Sequence, residues 1–194
     1  MAELSVSTVT TQKQQLPKHH YQEIIDLFDE CFSQSYNTRL IKGDDEPIYL
    51  PANPTCEYHR VVFAHGYFSS ALHEISHWLI AGPKRRLLED FGYWYRPDGR
   101  TAQEQAEFEK VEVKPQALEW ILSVAAGHKF YISADNLSGE NTDNSAFKQA
   151  VHEQVECYLT QGLSERATCL KAALCRYYGV DPSFTLDQFD LNSV

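Results

Sequence analysis

Two histidines four residues apart, with a glutamate after the first, form the stretch of this chain best equipped for chemistry: His73-Glu74-Ile75-Ser76-His77. On a helix, residues i and i+4 lie one turn above each other, so imidazoles at this spacing can share one metal ion. Glu74 can orient or deprotonate a water on that ion and is the candidate catalytic residue. Two histidines leave a divalent metal short of at least one protein ligand, and a carboxylate is a chemically matched donor. Glu112 is the candidate. In Val111-Glu112-Val113-Lys114-Pro115-Gln116-Ala117-Leu118-Glu119, residues 112, 116 and 119 stand at i, i+4 and i+7, one face of a helix if helical geometry runs through Pro115. Glu119 is the alternative ligand on that face. A second group, His152-Glu153-Gln154-Val155-Glu156, also has donors at helical spacing, but its setting among Lys148, Gln149 and Gln154 reads as a solvated helix surface.

This donor set does not choose its reaction. A zinc hydrolase, peptidase or ribonuclease, would use Glu74 as general base beside a metal held by two histidines and a carboxylate. Two histidines and one carboxylate with open positions also suit non-haem Fe(II) enzymes that activate O₂.

The element that must present both imidazoles is predicted from Ser69 or Ser70, either of which can cap it, to about Ala81, where Gly82-Pro83 supplies a stop. Leu72, Ile75 and Leu79 fall on one face as the core anchor, and His73 and His77 share an adjacent face. A β-branched and aromatic run at 60–64, stopped by His65-Gly66, predicts a buried strand feeding this helix. Two further short strands are expected at 38–41 and 48–50, separated by turn formers at 42–47. Tyr21, Ile24, Ile25, Phe28, Cys31 and Phe32 predict an amphipathic helix from residue 19 onward. Pro115 is expected to open a helix over 116–126 closed by Gly127, after a polar segment at 101–110. Helices are also predicted over 146–161 and 166–178, with a loop-like tail from Asp181. Residues 1–18 read as a flexible tail and 19–194 as a single metalloenzyme domain.

The charge balance narrows the partners. Seventeen Lys+Arg against 27 Asp+Glu give a formal charge of −10, which disfavours phosphate backbones and anionic lipid, so neither nucleic acid nor membrane is expected. A cationic substrate suits the surface better. Five cysteines with no C-x-x-C pair read as reduced thiols. No stretch approaches the about 18 apolar residues of a membrane span, and no leader-like N-terminus is visible, so the cytoplasm is the expected compartment.

Several longer strings carry a resemblance: Asn37-Thr38-Arg39-Leu40-Ile41-Lys42-Gly43-Asp44-Asp45-Glu46-Pro47-Ile48-Tyr49-Leu50-Pro51, Val62-Phe63-Ala64-His65-Gly66, His73-Glu74-Ile75-Ser76-His77-Trp78, Phe91-Gly92-Tyr93-Trp94-Tyr95, and Val111-Glu112-Val113-Lys114-Pro115-Gln116-Ala117-Leu118. Through them, the chain resembles the elongation factor P hydroxylase family. The resemblance implies an iron-type 2-His-1-carboxylate centre at His73, His77 and Glu112, with Fe(II), or another divalent metal such as zinc in the isolated protein, and O₂ as co-substrate. It implies hydroxylation of the lysyl-modified lysine of elongation factor P, a translation factor that relieves ribosomes stalled on proline runs. It also implies a fold like that of a bacterial metal-dependent endoribonuclease, α+β in class, a small sheet with surrounding helices and the metal site on a central helix, and not a jelly roll. Asp44, Asp45 or Asp98 could attract the cationic substrate arm or serve only as turn residues. Tyr93, Trp94 and Tyr95 could line its channel or belong to the core.

Overall fold

The first periodic run folds as α1, Tyr21–Phe32, which buries Ile24, Leu27, Phe28 and Phe32. His20 caps it: its ring accepts from the Gln22 N–H while Glu23 reaches back to the His20 N–H. The structure, a computed structural model, describes residues 19–90, 99–133 and 144–194; the tail expected over 1–18, and Tyr93, Trp94, Tyr95 and Asp98, lie outside the described residues.

Three strands follow: β1, Thr38–Lys42; β2, Ile48–Leu50; and β3, His59–Phe63. β3 is central, parallel to β1 with Thr38 opposite His59, and antiparallel to β2 with Ile48 opposite Val62. The Asp29 carboxylate accepts from the Leu40 N–H at 3.1 Å and ties α1 to β1. On the outer edge of β2, Tyr49 and Asp90 exchange two backbone hydrogen bonds of 2.7 and 3.0 Å. Residue 90 is thereby fastened to the sheet.

β3 leads into the histidine helix through His65 and Gly66, both left-handed at φ 57° and 70°. Glycine adopts this conformation freely, and a histidine at αL is less common. Helix α2, Phe68–Ile80, starts as soon as the chain leaves that turn. Neither Ser69 nor Ser70 is its cap. Tyr67 holds the N-cap position with no side-chain bond, because the two left-handed residues, and not a hydroxyl, set the entry.

Pro115 does not open a helix either. It lies inside α3, Ala102–Ala126, which absorbs the polar segment expected to precede it. A proline cannot donate to the carbonyl four residues back and costs about 3 kcal/mol in a helix interior. Two features offset this. Thr101 and Glu104 form a capping box at the N-terminus, and from Pro115 to Ala126 all but Val124 are buried. Gly127, at φ 59°, ends the helix.

Helices α4, Ser145–Gln161, and α5, Glu165–Tyr178, match the expected periodicity. The segment beyond Asp181 is not a loose tail: it makes short 3₁₀ turns at Leu186–Gln188 and Leu191–Ser193 and inserts Phe189, 1% exposed, against Trp120. One aromatic side chain anchors it.

α3 divides the interior. Leu118, Leu122, Ala125 and Ala126 pack with α1, the sheet, α2 and α5, while Ala117, Trp120 and Ile121 pack with Phe130, Phe147, Val151, Val155 and Phe189. The class is α+β, as expected, with α2 and α3 side by side at its centre. Among the described residues no helix is long and apolar enough to cross a membrane, and all five cysteines are free thiols.

Candidate metal centre

The rotation of α2 is set by Leu72, Ile75 and Leu79, all 2% exposed or less, which hold one face in the core. His73 and His77, on the adjacent face, are thereby turned toward α3. Their Nε2 atoms lie 3.2 Å apart, and Glu112 of α3 meets both: Oε1 is 3.3 Å from His77 Nε2 and Oε2 is 3.7 Å from His73 Nε2. One ligand atom from each of the three lies within 4.8 Å of the others. Two imidazole nitrogens and a carboxylate oxygen converging in this way form a donor set suited to a divalent cation.

Glu119 does not point at that cluster. Its Oε2 is 2.9 Å from His73 Nδ1, on the far side of the ring from Nε2. A carboxylate there selects the tautomer with the proton on Nδ1 and frees Nε2 for a metal. Between the two glutamates, Gln116 donates to Glu112 Oε2 at 3.4 Å and exchanges two hydrogen bonds with the Ser133 backbone, of 2.7 and 3.1 Å. The i, i+4, i+7 face of α3 thus offers one donor, one clamp and one orienting acid. Sequence spacing marked all three; only the opposing helix separates their roles.

Burial raises Glu74 and Glu119, the histidine charges partly offsetting it. Burial also works against charge on His73, yet the Glu119 carboxylate, aided by Glu112, outweighs it, and His73 sits well above its usual range. Burial pushes Glu112 upward too, but the hydrogen bond and charge of His77 and the charge of His73 leave it below the ordinary carboxylate value. Three carboxylates crowding two imidazoles amount to a negative well that a cation would relieve.

Beside this cluster lies a pocket of about 190 Å³ that sequence reasoning did not find. Glu74 and His77 belong to its wall, as do Tyr49, Trp78, Arg86 and the Arg85–Asp90 ion pair, whose atoms are 2.6 Å apart. These residues come from β2, α2 and the segment after it, so no short spacing signals them. The Glu74 side chain makes no hydrogen bond among the described residues, and its carboxyl lines the pocket.

The other expected residues fall elsewhere. Asp44 and Asp45 are exposed in the turn between β1 and β2, where the Asp44 carbonyl accepts from the His65 N–H. His152 lies against Trp120 with ring centroids 6.0 Å apart, half-buried, and joins no metal cluster among the described residues.

Comparison with known proteins places the chain among enzymes of one kind. A family profile described as elongation factor P hydroxylase matches residues 27–189. A protein of Haemophilus influenzae named elongation factor P lysine hydroxylase is 55% identical over 177 residues, spanning 91% of this chain and 99% of its own length.

Proposed function

Because the chain belongs to the elongation factor P hydroxylase family, we propose that it hydroxylates the lysyl-modified lysine of elongation factor P at a centre held by His73, His77 and Glu112. The observation that carries the site assignment is the convergence of those three donors within 4.8 Å. Fe(II) is the metal that suits the reaction: with two histidines, one carboxylate and open positions it supplies the capacity to activate O₂. Zinc would fit the same donors without redox chemistry.

The chain's own residues do the rest. Glu119 holds His73 through Nδ1, Gln116 holds Glu112, and the buried face of α2 holds both histidines in register. Glu74, raised by burial, is suited to hold or pass a proton at its carboxyl beside the metal ligands. A long cationic arm approaching this acid-rich cluster is attracted by it. We place the reaction in the cytoplasm, where the substrate, a translation factor, works.

Intact-mass measurement of lysyl-modified elongation factor P, incubated with the protein under air and under argon, tests the reading. A gain of one oxygen is expected only with air and the wild-type chain, and His73→Ala and Glu112→Ala should abolish it. Persistence of the gain in both variants would remove the metal assignment. Oxygen-independent cleavage of peptide or RNA would favour the hydrolase instead.

A further inference from the structure

Two guanidinium groups lie over the Trp78 ring, Arg166 at 4.5 Å from its centroid and Arg86 at 5.9 Å. They are satisfied very differently. Arg166 donates to the carbonyls of Trp78, Leu79 and Ala81 at 2.8 to 3.0 Å, so its role is to close the C-terminus of α2. Arg86 makes no side-chain hydrogen bond and no ion pair among the described residues, and its Nη1 is buried without an acceptor. A buried donor on a charged group left without an acceptor is costly, and most are paired. Neighbouring Arg85 is paired with Asp90 and does not compete.

Arg86 and Trp78 both line the pocket that also contains Glu74 and His77. Arg86 forms no ion pair with Glu74, although both line the pocket. Apolar Ile48, Val61 and Ile80 and the ring of Tyr49 complete the wall beside which a charge-assisted pair with Arg86 can form. A second cation would be repelled by Arg86.

We propose that this pocket binds a small organic carboxylate, with Arg86 as its anion-recognising residue, next to the metal centre. About 190 Å³ accommodates a compact acid and not a large cofactor. Its role in turnover rests on the hydroxylase reading. Hydroxylation by O₂ takes two electrons and two protons from a donor, R–H + O₂ + AH₂ → R–OH + H₂O + A, and an oxidisable organic acid AH₂ is the class of donor this pocket would seat.

Succinate serves as the probe and neutral succinamide as its control, followed by calorimetry and by the Trp78 indole N–H resonance in the wild-type chain. Saturable succinate binding that moves Trp78, no response to succinamide, and weakening of about tenfold or more in Arg86→Met support the site. Arg86→Lys, which keeps a charge but not the fork, should bind between the two. Absence of binding by the wild type overturns the proposal, as does binding that Arg86→Met leaves unchanged. A rise in KM for elongation factor P alone, with no succinate binding, overturns it in favour of a carboxylate of the protein substrate. Binding that succeeds while the oxygen-dependent mass gain fails would leave this site standing and remove the hydroxylase reading.

Discussion

The Glu119 carboxylate and the His73 ring meet between α3 and α2, Oε2 to Nδ1 at 2.9 Å, and this contact leaves His73 Nε2 facing His77 and Glu112. An acid that shares a helical face with the candidate ligand Glu112 thus bonds to the ring of a second candidate, His73.

That relationship separates two roles for Glu119. As an orienting partner, Glu119→Gln can still accept from Nδ1–H and should weaken metal binding mildly, while Glu119→Ala should weaken it by about 10- to 100-fold. Competition against a chromophoric chelator measures both. Equal loss in Glu119→Gln and Glu112→Gln would make Glu119 a direct ligand.

Metal removal should reverse the pH response. In the metal-free protein His73 has a pKa well above 6.5, despite burial, through Glu119 and Glu112. A group raised on folding contributes stability that is complete below its unfolded value and is lost as pH rises through its folded value. A metal requires the neutral imidazole, so its binding releases that proton and its apparent affinity grows over the same span. Urea midpoints of the chelator-treated protein should fall as pH climbs above 6.5, and the gap to the metal-loaded protein should widen. A constant gap would contradict this.

Arg166 closes α2 from α5, and Arg166→Met leaves three carbonyls of Trp78, Leu79 and Ala81 without that donor. A loss of about 2 to 3 kcal/mol in denaturant unfolding is expected, with Arg166→Lys recovering part of it. An unchanged midpoint would show that water replaces the guanidinium at no cost.

The two glycines flanking α2 should respond unequally. Gly66 is left-handed at φ 70°, and an added Cβ would come within 2.8 Å of the Lys42 side chain; Gly82 has nothing within 4 Å. Gly66→Ala should cost about 1 to 2 kcal/mol, chiefly from the backbone. Gly82→Ala should stay within about 0.5 kcal/mol of wild type. Thermal unfolding of the pair checks the contrast, and equal midpoints would mean that the turn before α2 can relax.

Local periodicity sufficed for much of this molecule. The spacing of His73 and His77, the apolar stripe of Leu72, Ile75 and Leu79, and the i, i+4, i+7 set at 112, 116 and 119 are properties of a chain wound at 3.6 residues per turn, so they were legible without a partner. The three strands were legible from short extended runs set off by turn formers, and the class of fold from the family resemblance. What spacing could not convey was energy supplied from elsewhere. Pro115 is carried inside α3 because the residues after it are buried on both sides, and Phe189 pins the last segment because Trp120 is there to receive it. The division of labour between Glu112 and Glu119, and the pocket with its unsatisfied Arg86, depend on which atoms the opposing elements bring within a few ångströms, a distance that no one-dimensional pattern contains.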